Sequence, residues 1–320
     1  MSTINPLVSI CIPAYNSERY IGATIDCLLN QSYSNIEIIV VDDGSEDGTV
    51  KVLKHIEDLR FKYIIQLNNG AASARNAAFK ISTGEFIKFM DADDLINNTC
   101  IENQITRILE NPDSIASAKW GRFYVDDISD FKYSPEKVWK DLPGIDWLVN
   151  SLIDAGINMM QPGIFLIPRM IIEKAGPWNE ELSLIDDFEY MVRVISISSN
   201  VLYCEGAILM YRSGISNSLS RKKSDKHMTS AYHSLNLGIE RILEIKNNNQ
   251  SRLACANAYQ NWAYQFYPSH RELLKKTEQE IIKLGGSNIR LGGGKMFVLL
   301  SKLIGWKKAK IIKMYLTGNE

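Results

Sequence analysis

Acidic residues form two groups in the N-terminal third of this 320-residue chain, and their spacing allows the carboxylates to act together. The groups are Asp42-Asp43 and Asp91-Ala92-Asp93-Asp94. Carboxylates held close together repel one another unless a cation or a ligand rich in hydrogen-bond donors lies between them. Hard divalent ions such as Mg²⁺ and Mn²⁺ prefer oxygen ligands of this kind. The pattern therefore predicts a site for a divalent cation or for a donor-rich ligand.

Alternating strand and helix patterns must position these acids. Apolar, largely β-branched runs predict strands at residues 7–12, 36–41, 63–66 and 85–90. The intervening segments have helical spacing, which gives the order βαβαβαβ. Such alternation predicts a parallel sheet covered by helices, in which the carboxyl ends of the strands share one edge. Because each acidic group directly follows a predicted strand, both groups are expected at that edge.

Composition and missing motifs exclude several function classes. The chain has 36 basic and 37 acidic residues, a balance that argues against nucleic-acid binding, and 45% hydrophobic residues, as in folded proteins. It contains neither the phosphate-loop motif of NTPases, nor the glycine motif of nicotinamide enzymes, nor the H-E-x-x-H motif of zinc hydrolases. Five cysteines without a C-x-x-C pair suit reduced thiols, and no apolar run is long enough to span a membrane. These features predict a cytoplasmic protein.

Four ordered sequence blocks resemble family 2 glycosyltransferases. They are VSICIPAYN (8–16), VVDDGSEDGT (40–49), NNGAASARNAAFKISTGEFIKFMDADD (68–94) and LIDDFEYMVRV (184–194). The resemblance covers roughly residues 7–212. It implies the GT-A fold, an α/β fold with a Rossmann-like, mostly parallel sheet flanked by helices. It also implies an inverting transfer of a sugar from a nucleotide diphosphate donor to an acceptor hydroxyl.

The resemblance implies a nucleotide site formed by Pro13, Ala14, Tyr15, Asp43, Gly70, Arg75 and Asp91. In it, Asp43 accepts the N3–H of uracil, Gly70 lets the backbone pass close to the nucleotide, and Arg75 faces the nucleotide. The alternatives are that Asp43 belongs to a turn and that Arg75 is an ordinary surface arginine.

The D-x-D element, Asp91-Ala92-Asp93, is the part of the resemblance that implies a metal site. By resemblance Asp93 is the principal ligand of Mn²⁺ or Mg²⁺, and Asp91 reaches the ribose or contacts the metal through water. The alternative is a structural turn at the end of a strand. A divalent ion at this place stabilises the negative charge that develops on a diphosphate leaving group.

The pair Asp186-Asp187 resembles the family's acidic pair, whose second member is the general base. Asp187 is therefore the expected catalytic base, and Asp186 its companion. The family's E-D-W is D-D-F here, so the first acid is shorter. Asp186 with Glu189 also fits a helix-capping pair. The helix N-terminus is expected to favour the ionised form of Asp187, which makes it a weaker base.

The C-terminal third has a different pattern. Residues 1–215 are predicted to form the catalytic domain, and residues 216–320 a lid or linker followed by a helical appendage. The segment around 211–227 is rich in Ser, Gly and Lys, and its cations Arg221, Lys222, Lys223 and Lys226 could close on the diphosphate. A solvated linker between domains is the alternative.

The end of the chain is basic and amphipathic. Residues 286–320 contain seven basic residues and one acidic residue, interleaved with apolar side chains. This pattern is typical of a helix at an anionic membrane surface, and a helix packed on its own domain is the alternative. The sequence thus predicts a peripheral enzyme on the inner face of the membrane that extends a glycan, carried on a lipid, in surface polysaccharide synthesis. The alternatives are a sugar-nucleotide nucleotidyltransferase and a non-catalytic glycan-binding relative.

Overall fold

The N-terminal part of the computed structural model follows the predicted alternation. The model describes residues 5–124, 127–157, 160–215, 224–289 and 294–317. The first elements are β1 (Val8–Ala14), α1 (Ile21–Leu29), β2 (Ile36–Asp42), α2 (Thr49–Lys54), β3 (Phe61–Ile65), α3 (Ala71–Ile81) and β4 (Phe86–Phe89). β1 and β2 are buried along nearly their whole length, as expected for parallel strands covered on both faces.

The middle of the chain adds a second group of strands. Its elements are β5 (Leu95–Ile96), α4 (Cys100–Leu109), β6 (Ile115–Tyr124), β7 (Asp127–Tyr133), β8 (Leu142–Pro143), α5 (Gly144–Ile153), a 3₁₀ turn (Pro162–Ile164), β9 (Phe165–Pro168), α6 (Arg169–Ala175), α7 (Asp186–Ile197) and β10 (Asn200–Ser213). Together the strands form one sheet with the order β3-β2-β1-β4-β9-β6-β10-β5, in which β7 pairs with β6 and β8 pairs with β10.

The direction of the strands divides this sheet. β3, β2, β1 and β4 run parallel, as do β6 and β10, whereas β9 runs antiparallel between β4 and β6. The predicted α/β class, with a largely parallel sheet flanked by helices and a helical C-terminal region, is confirmed. β2 ends at Asp42 and β4 ends two residues before Asp91, so both acidic groups lie at the carboxyl edge of the parallel strands, as predicted.

Helices complete the C-terminal region. They are α8 (Asp225–Ile245), α9 (Asn249–Phe266), α10 (Arg271–Lys283), α11 (Lys295–Ile304) and α12 (Trp306–Thr317). The hydrophobic core is continuous from the sheet into α8 and α9, where Leu235, Ile239 and Phe266 are buried. Side chains from both predicted ranges, 1–215 and 216–320, thus share one core. The division into two domains stays a prediction.

The last two helices pack on α9 with one side and expose apolar residues on the other. Phe297 and Trp306 contact the ring of Tyr264, and Lys310 Nζ donates to the Tyr264 carbonyl at 2.6 Å. The outer side carries Met296, Leu299, Leu303, Tyr315 and Leu316, all exposed. The sequence predicts contact with a membrane, with packing on the chain's own domain as the alternative. One side of this pair of helices packs on α9, and the exposed apolar side is compatible with membrane contact. Within the described residues, none of the helices combines the length and apolarity needed to cross a membrane.

Candidate active site

The carboxyl ends of β1 and β2 form one corner of the site. Asp43 N donates to the Ala14 carbonyl at 2.7 Å and so ties the two strand ends together. The Asp43 carboxylate accepts three further hydrogen bonds, from Gln66 Nε2 (2.8 Å), Asn69 N (2.9 Å) and Gly70 N (2.8 Å). Asp43 is therefore buried and anchors the loop before α3, so it has a structural role whether or not it also contacts a base.

The remaining predicted nucleotide residues surround this corner. Pro13 is half-buried at the end of β1, and the next residue but one, Tyr15, is 47% exposed and available to a ligand. Gly70 has a φ of 93°, a conformation that favours glycine, and it directly precedes α3. A Cβ at Gly70 would meet nothing within 4 Å, so the backbone conformation, and not crowding within the chain, requires glycine there.

Arg75 joins Asp91 of the D-x-D element to Asp186 of the Asp186-Asp187 pair. Its Nη2 donates to Asp91 Oδ1 at 2.8 Å and its Nη1 donates to Asp186 Oδ2 at 3.0 Å, while its Cζ lies 4.5 Å from the ring centroid of Trp178. Arg75 is only 6% exposed, so it is not an ordinary surface arginine. Burial lowers the pKa of Arg75, but the carboxylates of Asp91 and Asp186 outweigh burial and raise it. The guanidinium thus sets the distance between the D-x-D element and the expected base.

Burial raises the pKa of the two acids that follow Asp91, namely Asp93 and Asp94, by more than nearby positive charge lowers it. Burial, and after it the charge of Asp91, raises the pKa of Asp93 to about 7. Asp94 is fully buried, and burial together with Asp93 and Asp91 raises its pKa well above the usual range. Its carboxylate accepts from Arg212 N at 2.9 Å and from Gln161 Nε2 at 2.6 Å. Asp94 thus fixes neighbouring elements, whereas Asp93 is the member of the element left for a ligand.

Asp187 begins α7 with its neighbour Asp186, but the predicted capping pair is wrong. The residue at the N-cap position is Ile185, in the left-handed conformation with φ 51°, and the carboxylate of Asp186 binds Arg75. Glu189 forms an ion pair with Arg193. Ile185, a β-branched residue at positive φ, is strained, and such strain clusters at functional sites.

The electrostatics of Asp187 also differ from the expectation. Burial, and after it the charge of Asp186, raises its pKa to about 7, and Arg75 only partly offsets this. The helix N-terminus is predicted to lower the pKa of Asp187. Within the described residues it contributes one hydrogen bond, from Phe188 N to Asp187 Oδ1 at 2.8 Å, and this does not outweigh burial. A carboxyl group with a pKa near 7 is a stronger base than an ordinary aspartate and is still largely ionised at slightly alkaline pH.

Helix α8 holds the strained turn before Asp186 in place. Ser230 Oγ accepts from Ser183 N at 2.7 Å, and Ser234 Oγ donates to the Ile185 carbonyl at 2.5 Å. One turn further, Phe188 lies so close to Gly238 that a Cβ there would be 2.4 Å from the Phe188 ring. The C-terminal region is therefore part of the support of the candidate base.

Sequence reasoning missed three of these residues. Gln161 links Asp94 to Asp91, whose Oδ2 is 3.3 Å from Gln161 Nε2, and Ser230 and Ser234 hold the turn before α7. The two serines are four residues apart on the inner face of a helix, which is the only signal that could have revealed them. Nothing in the sequence around Gln161 indicates its partners.

The predicted lid lies mostly outside the described residues. Arg221, Lys222 and Lys223 fall within residues 216–223, and Lys226 lies in the first turn of α8. The lid stays a prediction.

Comparisons with known proteins agree with the sequence blocks. The family model described as glycosyl transferase family 2 matches residues 9–174, more than half of the chain. An uncharacterized glycosyltransferase of Rickettsia typhi is 35% identical over 208 residues, which are 62% of this chain and 61% of the relative. UDP-Glc:alpha-D-GlcNAc-diphosphoundecaprenol beta-1,3-glucosyltransferase WfaP of Escherichia coli is 48% identical over 103 residues, which are 31% of this chain and 40% of that enzyme. The chain thus spans less than two thirds of either relative.

Solved structures support the same assignment at the level of the fold. The crystal structure of S. aureus TarS 1–349 in complex with UDP-GlcNAc aligns with a TM-score of 0.69. The alignment covers 98% of this chain and 92% of that one, at 17% sequence identity. On the family match and the shared fold, the chain belongs to glycosyl transferase family 2.

Proposed function

We propose that this protein is an inverting, metal-dependent glycosyltransferase. It transfers a sugar from a nucleotide diphosphate donor, UDP-linked, to a hydroxyl group of a glycan carried on a lipid diphosphate. The observation that carries the proposal is the position of Arg75, which pairs with Asp91 of the D-x-D element and with Asp186 and so holds the two acidic sites next to each other. A donor diphosphate bound at the D-x-D element would have its sugar near the Asp186-Asp187 pair.

The acidic edge fits a divalent cation. Among the described residues, no three side chains of the kinds that bind metals converge on one point. Mg²⁺ and Mn²⁺ do not need three protein ligands, because they can bind through one or two carboxylates and complete their coordination with substrate phosphates and water. Asp93 would hold the ion directly, because it is half-buried, its pKa is raised and it forms no ion pair within the described part of the chain. Asp91, which already accepts from Arg75 and Gln161, would contact the ion through water. When bound, the ion stabilises negative charge on the departing diphosphate.

Asp187 supplies the proton acceptor. Its partner Asp186 is held in an ion pair with Arg75, so Asp187 is the carboxylate of the pair that is left to take a proton. A pKa of about 7 suits a base that removes the proton of the acceptor hydroxyl as that oxygen attacks the anomeric carbon. A single displacement with a single base inverts the configuration at that carbon, because attack and departure occur on opposite faces of the sugar.

The donor nucleotide is assigned to the corner formed by β1 and β2. The Oδ1 atom of Asp43 already accepts two hydrogen bonds and its Oδ2 atom accepts one, from Gly70 N. A carboxylate oxygen accepts two, so Oδ2 has room for one more donor, such as the N3–H of uracil. The S. aureus TarS structure in complex with UDP-GlcNAc supports a UDP-linked donor.

Two features support a lipid-linked acceptor at a membrane. The name of the E. coli relative WfaP specifies a diphosphoundecaprenol acceptor. The outer side of α11 and α12 is apolar and exposed, with Leu299 60% and Leu303 72% accessible, and Lys302 and Lys308 lie exposed on the same two helices. Exposed apolar side chains beside lysines suit the interface of an anionic bilayer. The protein is therefore proposed to work as a peripheral enzyme on the cytoplasmic face of the membrane.

The test is incubation of the full chain with a panel of nucleotide sugars and Mn²⁺. Release of a nucleoside diphosphate supports a transferase, whereas pyrophosphate-dependent exchange would indicate a nucleotidyltransferase. Asp93→Ala is expected to abolish Mn²⁺-dependent binding of UDP in calorimetry without unfolding the protein, since it also relieves repulsion among the carboxylates. Glu110→Ala, at an exposed position after α4, is the control. Unchanged Mn²⁺-dependent binding by the Asp93 variant would refute the metal site.

A further inference from the structure

An exposed arginine at the end of β6 is held between two aromatic rings. Arg122 Cζ lies 5.2 Å from the ring centroid of Trp120 and 5.2 Å from that of Tyr211, and Arg122 Nη1 donates to Ser213 Oγ at 3.3 Å. Trp120 is 6% exposed, so one wall of this arrangement is fixed in the core. The guanidinium is thus confined to one place although it faces solvent.

This guanidinium has no carboxylate partner within the described residues, unlike the arginines of the candidate site and its surroundings. Arg75 is paired with two aspartates, and Arg193 and Arg107 are each paired with one acid. Among the residues that the structure describes, the Arg122 side chain contacts two aromatic rings and a hydroxyl group. A cation that is positioned in advance and lacks a counter-ion is suited to bind an anion that arrives with a ligand.

Arg122 lies beside the acidic edge. It is directly opposite Tyr211 in the pairing of β6 with β10, and the backbone of the next residue, Arg212, donates to Asp94. Burial, and after it the charges of Asp94 and its acidic neighbours, raises the pKa of the Tyr211 hydroxyl, which agrees with a short distance between this ring and the D-x-D element.

The order of strands separates Arg122 from the donor nucleotide. In the proposed function the base lies at β1 and β2 and the diphosphate at the end of β4. β6 is two strands beyond β4, with β9 between them, which at about 4.8 Å per strand is about 10 Å. Arg122 therefore lies two strands from β4, on the side of β9 away from the corner of β1 and β2 that is assigned to the base.

We propose that Arg122, held between Trp120 and Tyr211, binds a phosphate group of the acceptor substrate. The inference rests on the proposed function and extends it to a second phosphate site, distinct from the metal-bound diphosphate of the donor. A planar guanidinium binds phosphate through paired, charge-assisted hydrogen bonds, and the two rings keep it in place without occupying its outward N–H groups.

Calorimetry can test this on the full chain saturated with UDP and Mg²⁺, so that the donor site is filled. The probe is geranyl diphosphate, with geraniol as its uncharged counterpart. Geranyl diphosphate is expected to bind the UDP-loaded protein, and geraniol much more weakly. Arg122→Ala is expected to weaken geranyl diphosphate binding about tenfold or more, and Arg122→Lys by less, because lysine keeps the charge and loses the paired geometry.

Controls separate this inference from the proposed function. Arg252→Ala removes an arginine on α9 whose guanidinium donates to the Lys283 carbonyl. This variant is expected to bind geranyl diphosphate as tightly as the unmodified protein does. UDP affinity is expected to stay within about twofold in both arginine variants. Equal geranyl diphosphate binding by Arg122→Ala, no binding to the UDP-loaded protein, or a parallel loss of UDP affinity would each overturn the inference. Failure of the unmodified protein to bind UDP would instead overturn the proposed function.

Discussion

Replacing Asp187 by Asn is expected to lower turnover strongly and, at alkaline pH, to make the protein more stable. Burial, and after it the charge of Asp186, raises the pKa of Asp187 from 3.8 to about 7. Above pH 7 the folded protein therefore holds an ionised carboxylate that its surroundings disfavour. The Asn side chain keeps the oxygen that accepts from Phe188 N and carries no charge.

The magnitude follows from proton linkage. An acid whose pKa is raised in the folded state holds its proton more tightly there than in the unfolded chain, so stability is lost as the pH rises from 3.8 towards 7. At about 1.4 kcal/mol per pKa unit, the raised pKa of Asp187 lowers the free energy of unfolding by about 4 kcal/mol at pH 8 and by about 2 kcal/mol at pH 5, where the group ionises only in the unfolded chain. These are upper values for the stability gained by Asp187→Asn.

Urea unfolding at the two pH values measures the stability, and release of nucleoside diphosphate measures turnover. We expect a stability gain that is larger at pH 8 than at pH 5, and a fall in turnover by a factor on the order of 10² to 10⁴ with little change in donor affinity. Asp130→Asn, at an exposed position on β7, is the control. An equal gain at both pH values would refute the raised pKa. If Asp187→Asn turned over normally and Asp186→Asn were inactive, the base would be the other carboxylate.

Three further substitutions test the support of the site and the C-terminal helices. Arg75→Met leaves two half-buried carboxylates without their cation, so it is expected to destabilise the fold by at most about 3–5 kcal/mol and to move the acidic limb of the turnover–pH profile to higher pH, since Arg75 lowers the pKa of Asp187; an unmoved limb would contradict this coupling. Ser234→Ala removes the donor to the Ile185 carbonyl and is expected to cost about 1–3 kcal/mol and to lower turnover, whereas Ser234→Thr is expected to restore both; a variant as active as the unmodified protein would show that the turn holds without this bond. Leu299→Gln combined with Leu303→Gln is expected to weaken cosedimentation with anionic vesicles about tenfold or more, and equal sedimentation would show that this side does not contact lipid.

The sequence by itself determined the elements of the N-terminal half and the edge at which the acids lie. Runs such as residues 36–41 are β-branched and end at polar residues, so strand, turn and helix follow from local pattern alone. The carboxyl ends of parallel strands meet at one edge, so the order of the strands alone places Asp43 and Asp93 together. The similarity of the blocks to a known family supplied the remaining roles, which local pattern does not contain.

Only the tertiary structure decided how the site is assembled and how its acids titrate. Arg75 contacts Asp91 and Asp186, which are 16 and 111 residues away, and no local pattern encodes a pairing across such a separation. The capping prediction for Asp186 failed for this reason, because a buried guanidinium competed successfully for the carboxylate. The pKa of Asp187 depends on burial and on neighbouring charges, and both exist only once α7 has packed against the rest of the chain. The support from Ser234 likewise requires α8 to fold back on the turn before α7, since its partner, the Ile185 carbonyl, lies 49 residues away.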